Sequence, residues 1–158
     1  MKRFILFLLL AGLFASAAVA QSTIFIVRHA EKAANGNDPD LSDTGRARAE
    51  SLAHTLKDAG VSAIYVTDLR RTQQTAAPLA KMLHLDPTIV PAKDSAALIA
   101  KLRASSSNVL VVGHSNTIPE LIKAFAIATP IQIADSDYDN LFVLVLDEKP
   151  RLIRLRYR

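Results

Sequence analysis

The chain has 158 residues, 19 Lys and Arg against 15 Asp and Glu, an apolar share of one half, and no cysteine. The missing cysteines exclude a disulfide framework, a thiol nucleophile and a thiolate metal site. A formal charge of +4 with no aromatic-basic interleaving and no motif gives no support for a nucleic-acid partner.

Met1, Lys2 and Arg3 form a basic start, residues 4–13 an apolar run, and Ala18-Val19-Ala20 a small-x-small cleavage pattern. Residues 1–20 therefore read as a signal peptide cut after Ala20, and residues 21–158 as one periplasmic or secreted domain. The apolar run is short for a span of roughly 20 residues. Membrane contact is thus expected only through this segment before cleavage, with an uncleaved anchor as the alternative. Losing Lys2 and Arg3 lowers the formal charge to +2. Much of the remaining excess lies in "RLIRLRYR", residues 151–158, whose alternation reads as a solvated edge strand that discourages sheet-to-sheet pairing.

Residues 23–27 of "STIFIVRHAEK" read as a strand buried on both faces that delivers Arg28 and His29 at its end. Residues 45–59 have helical spacing and stop at Gly60. A strand follows over 62–67, then a helix over 69–83 containing Pro78, which kinks or divides it. Residues 88–92 form a short strand limited by Pro91, and Asp94 is the N-cap of a helix reaching about Arg103. "NVLVVG", residues 108–113, is the plainest buried strand, and a helix over 117–127 tolerates Pro119 in its first turn. Residues 141–147 and 151–157 flank the turn Glu148-Lys149-Pro150 as a hairpin. This order predicts an α/β three-layer sandwich: a mostly parallel central sheet, helices on both faces, and a C-terminal antiparallel hairpin.

Sites in such sheets form beyond the carboxyl ends of the strands. Three of those ends carry Arg28-His29-Ala30-Glu31, Asp68-Leu69-Arg70-Arg71 and Gly113-His114-Ser115-Asn116. An isolated histidine at a strand end is usually a surface residue; two histidines and two arginines converging on one edge are not. Planar guanidinium forks at Arg28 and Arg71 suit a phosphoryl group. His114 and the backbone near Ser115 add donors, and Gly113 permits close approach. Nearby cations disfavour a charged imidazole, so His29 is expected neutral. His54 and His84 read as ordinary helix residues. Glu31 either orients pocket groups or pairs with an arginine. Asn35 belongs to a polar loop able to overhang the pocket, although turn preference also explains it.

"VRHAEK", "LSDTG" at 41–45, "RTQQTA" at 71–76 and "VVGHSN" at 111–116, in that order, resemble the histidine phosphatase superfamily, the phosphoglycerate-mutase-like proteins, in its smaller bacterial form. Ala30 replaces the usual glycine of the first motif. The resemblance implies a His29 nucleophile that becomes phosphohistidine and is then hydrolysed, with Arg28, Arg71 and His114 around the phosphate and Arg70 left as a rim or salt-bridge residue. No cofactor and no metal are implied, because guanidinium groups supply the electrostatic stabilisation. The expected partner is a phosphorylated small molecule or a surface-linked phosphoester. Family members usually carry a carboxylic general acid within an insert after the third strand. Here that stretch is only "PAKDSAALIAKL", so Asp94, and more remotely Glu120, are the candidates. Three functions stay open: an exported phosphomonoesterase, a phosphatase for phosphohistidine or another good leaving group, and a phosphate-binding module without turnover.

Overall fold

Alternation decides which side of the sheet each strand residue serves. In β1 (Ser22–Arg28), Ile24 and Ile26 point to one face and Val27 to the other; in β4 (Asn108–Gly113), Val109 and Val111 separate in the same way from Leu110 and Val112. The middle of each strand is apolar on both faces because both faces are covered, as parallel sheets require. The computed structural model describes residues 22–158. The signal segment read over residues 1–20 and its cut after Ala20 lie outside the described residues.

Helices α1 (Asp43–Leu56) and α2 (Arg70–Leu83) cover the Val27 face, with Leu52, Ala53, Leu56, Ala76 and Leu79 packed on Ile64, Leu110 and Val112. Helices α3 (Ser95–Ala104) and α4 (Ile118–Lys123) cover the Ile24 face through Leu102, Ile118, Leu121 and Ile122. Between them lies a six-stranded sheet that also contains β2 (Val61–Thr67), β3 (Thr88–Val90), β5 (Asn140–Leu146) and β6 (Arg151–Arg156), in the order β3-β2-β4-β1-β5-β6. The first four strands are parallel; β5 runs antiparallel to β1, and β6 to β5. The expected sandwich and C-terminal hairpin are both present.

Topology places a crevice between β1 and β4. These neighbours are in parallel register, Arg28 opposite Gly113. The chain leaves β1 towards α1 on one face and leaves β4 towards α4 on the other, so the two exits diverge. Because β5 is antiparallel, with Leu141 opposite Val27, the loop before β5 starts from this same edge.

Two elements depart from expectation. Pro78 does not divide α2, which runs unbroken from Arg70 to Leu83 and closes on His84 in a left-handed conformation (φ 54°). Helix α4 stops at Lys123 rather than near 127. The Phe125 and Ala126 amides donate to the Ile122 and Lys123 carbonyls in tight turns, and Ala126 takes φ 62°. This redirects the chain, and Phe125 stays buried against the α3–α4 core. The arginine-faced strand β6 is the sheet edge, as read. Its arginines have nearby acids: Arg151 pairs with Asp147, Arg154 with Asp137, and Arg156 with Asp137 and Asp139.

Candidate active site

His29 follows β1 directly, its N–H donating to the Gly113 carbonyl at 2.9 Å and so extending the β1–β4 pairing by one bond. His114 follows β4. The two rings stand 5.4 Å apart between centroids and both side chains are buried. Arg71 comes from the first turn of α2, and all three line a cleft of about 310 Å³ together with Lys93, Ser115 and Asn116.

The His29 ring has a defined tautomer. Its Nδ1 lies 2.8 Å from the Ala30 carbonyl oxygen, which can only accept, so Nδ1 carries the proton and Nε2 keeps its lone pair. Thr75 maintains this turn: its hydroxyl accepts from the Ala30 N–H at 2.9 Å and donates to the Arg71 carbonyl at 2.7 Å. The His29 pKa falls to about 4, with burial as the largest cause. The bond to Ala30 works against this, while Arg71, His114 and Arg28 reinforce it. His114 also falls to about 4, first by burial and then by Arg71 and Arg28, with Asp68 opposing. Desolvation therefore outranks the cations invoked from the sequence. The Nε2 of His114 lies 3.2 Å from the Thr67 hydroxyl at the end of β2.

The arginines are each only partly engaged. Arg71 Nη1 lies 3.6 Å from an Asp38 carboxylate oxygen, and Arg71 Nε is buried with no hydrogen-bond partner among the described residues. Arg28 does not line the cleft with the others. Its Nη1 donates to the Ala134 and Asp135 carbonyls at 3.0 and 2.9 Å, and its guanidinium lies 4.2 Å over the Tyr138 ring. Its Nε too is buried without a partner among the described residues. Arg28 thus ties down the loop before β5, a role that its motif position did not reveal. Buried guanidinium donors without partners, beside two neutral imidazoles, fit a tetrahedral oxyanion.

The remaining candidates separate. Ser115 lines the cleft, in the turn ahead of the six-residue α4 rather than at the head of a longer helix. Asn35 is exposed and outside the lining; its loop sends Asp38 inward instead, where both carboxylate oxygens accept from the Arg70 N–H. Asp94 is the N-cap of α3, accepting from the Ala97 N–H at 2.9 Å. Glu120 is exposed on α4 and also outside the lining. Glu31 forms a bidentate pair with Arg48. Burial alone would raise its pKa, but the bonds from Arg48 outweigh this and hold it low. Arg70 pairs with Asp40 at 2.7 Å on the surface.

Lys93, Asn116, Asp38, Thr67 and Tyr138 were not singled out from the sequence. For Tyr138 a signal existed: a hairpin after a parallel sheet starts its first strand at the site edge, so the residues before β5 belong there.

The family model for the histidine phosphatase superfamily (branch 1) matches residues 24–94, from β1 to the cap of α3. The PE-PGRS family protein PE_PGRS11 of Mycobacterium tuberculosis (strain ATCC 25618 / H37Rv) is 43% identical over 54 residues, 34% of this chain. The match spans only 9% of that curated relative's length. Among solved structures, the protein histidine phosphatase SixA complexed with tungstate superposes with a TM-score of 0.68 at 20% identity, covering 85% of this chain and 96% of that one. A mycobacterial glucosyl-3-phosphoglycerate phosphatase bound to inorganic phosphate gives 0.65 at 18%, covering 84% and 95%. At these identities the structural likeness speaks for the fold. The matched segment, somewhat less than half of the chain, contains His29 and Arg71, and the fold brings His114 beside them; over residues 24–94 the chain is similar to the histidine phosphatase superfamily.

Proposed function

We propose that the chain is a metal-independent phosphatase that works through a phosphohistidine at His29, on a phosphorylated small molecule or surface-linked phosphoester outside the cytoplasm. The observation that carries this reading is the His29 ring itself: its proton is fixed on Nδ1 by the Ala30 carbonyl, and its pKa of about 4 leaves Nε2 unprotonated at neutral pH. In the first step the Nε2 lone pair forms an N–P bond as the P–O bond to the leaving group breaks. The electron pair departs with that oxygen, which takes a proton from solvent. Arg71 and His114 bear the charge on the equatorial oxygens, with Ser115 as a further donor, while Arg28 adds positive charge from behind the cleft and secures the loop before β5. In the second step water attacks phosphorus, the N–P pair returns to Nε2, and a proton is released. Action outside the cytoplasm rests on the N-terminal sequence pattern.

A second reading concerns the leaving group. No carboxylate lines the cleft among the described residues: Asp94 is engaged as a helix cap and Glu120 points to solvent. Without a proton donor, phosphohistidine and other substrates with good leaving groups are favoured over alkyl phosphates.

The full chain should hydrolyse 4-nitrophenyl phosphate in the presence of a chelator, and His29→Ala should lose on the order of 10³-fold or more of that rate. Rapid mixing with labelled substrate and an alkaline quench should place the label on His29. Full activity in His29→Ala would remove the nucleophile assignment. A wild type that binds phosphate but never turns over would leave a binding module.

A further inference from the structure

Lys93 lies in the turn between β3 and α3 and adds a positive charge to the wall of the cleft. The cleft wall contains Arg71, Lys93 and two histidines, and no Asp or Glu among the described residues. The other cation in that wall has a counter-charge, Arg71 with Asp38. Lys93 has no carboxylate within ion-pairing distance among the described residues, and its side chain is exposed at the rim. The acids closest to it along the chain and in the turn are turned to backbone duty. Asp68 accepts from the Ala92 N–H at 2.9 Å, and Asp94 accepts from the Ala97 N–H. The Asp94 N–H in turn donates to the Pro91 carbonyl at 2.9 Å, closing a tight turn with Ala92 and Lys93 in its centre. The backbone under Lys93 is therefore pinned on both sides, and its exposed side chain lines the rim of the cleft.

A phosphoryl dianion bound at His29, Arg71 and His114 leaves this ammonium beside the rest of the substrate. A neutral leaving group would gain nothing from it. A group bearing its own negative charge would pair with it in a partly enclosed cleft, where screening is weaker than in open solvent. At about 310 Å³ the cleft suits a small molecule, so such a second charge lies within reach of Lys93.

We propose that Lys93 is a specificity-determining residue that selects phosphorylated substrates carrying a second anionic group, carboxylate or phosphate, beside the phosphoryl that is transferred. This rests on the phosphatase reading of the cleft, and its test is a binding measurement that does not depend on turnover. Calorimetry on the full chain would compare phenylphosphonate, 4-carboxyphenylphosphonate and 1,4-phenylenebisphosphonate. The two doubly anionic probes should bind about three- to fivefold tighter than phenylphosphonate, the scale of a single partly exposed ion pair. Whichever of the two gains more identifies the preferred second anion. The preference should shrink with added salt, survive in Lys93→Arg and vanish in Lys93→Gln, with the melting temperature unchanged in both variants. Equal binding of all three probes by wild type would overturn the proposal, as would an undiminished preference in Lys93→Gln. Hydrolysis of 4-nitrophenyl phosphate, read in parallel, separates the two ideas. Discrimination without turnover supports the role of Lys93 and sinks the enzyme, whereas turnover with equal binding does the reverse.

Discussion

At the scale of single residues the site depends on keeping two imidazoles neutral. His29 and His114 both have pKa values near 4 against an ordinary 6.5, with burial as the main cause. Their folded-state values are depressed, so the unfolded chain binds more protons between pH 6.5 and 4. The stability contributed by the neutral rings is present above 6.5 and is lost progressively as pH falls towards 4. Ring C–H resonances followed by NMR should show the pair titrating near 4, and saturating inorganic phosphate should raise those midpoints by supplying a compensating anion. Midpoints near 6.5 in the ligand-free protein would mean that the rings are solvated and that the proposed nucleophile is half protonated in mild acid. The histidines and Arg71 were legible because short motifs put them at strand ends. Lys93 and Asp38 were not, since a lysine or aspartate in a turn has the same sequence appearance whether it faces solvent or a cleft. Arg28 was legible only in part: its charge follows from the motif, but its bonds to Ala134 and Asp135 join residues more than a hundred positions apart.

At the scale of elements, the loop after β1 and the start of α1 form one unit. Ser42 is the α1 N-cap, accepting from the Gly45 N–H at 3.1 Å, while its own N–H donates to the Glu31 carbonyl at 2.9 Å. This draws α1 so near the loop that a Cβ on Gly45 would overlap the Glu31 carbonyl oxygen, a backbone atom that cannot swing aside. Gly45→Ala should therefore cost about 1–3 kcal/mol, the range for forced overpacking, although alanine is the better helix former. Urea denaturation would measure it, and an unchanged or raised midpoint would show that helix and loop shift at little cost. The strands and α1 to α3 were readable because their period-2 and period-3.6 patterns run to recognisable caps and turns. Helix α4 was overestimated because its sequence stays helix-compatible to Ile127, whereas the left-handed Ala126 is imposed by where the chain must go next. Pro78 does not break α2, whose Ala76, Leu79 and Ala80 on either side of it are buried in the core under the sheet.

At the scale of the whole molecule, the C-terminus closes the structure next to the site. Strand β6 runs back towards the edge where His29 lies, and Tyr157 is buried in the α1–α2 core just beyond it. Its N–H donates to the Asp139 carbonyl, and its own carbonyl accepts from Arg48, the residue that grips Glu31 two positions after His29. The Ser51 hydroxyl on α1 donates to the Arg158 carbonyl. One arginine thus joins the chain's end to the loop that carries the proposed nucleophile. The Tyr157 ring and its hydroxyl should act in opposite directions. The ring fills core volume, so Tyr157→Ala should cost about 3–5 kcal/mol, as for other large aromatic truncations. The hydroxyl is buried with no hydrogen-bond partner among the described residues, and burial pushes its pKa up. Removing an unsatisfied polar atom while keeping the ring recovers its desolvation penalty. Tyr157→Phe should therefore be neutral or stabilising by up to about 1 kcal/mol, with hydrolysis unaffected. A Tyr157→Phe protein that melts well below wild type would show that the hydroxyl has a partner after all. The core at the chain's end would then be held by a polar contact rather than by packing alone.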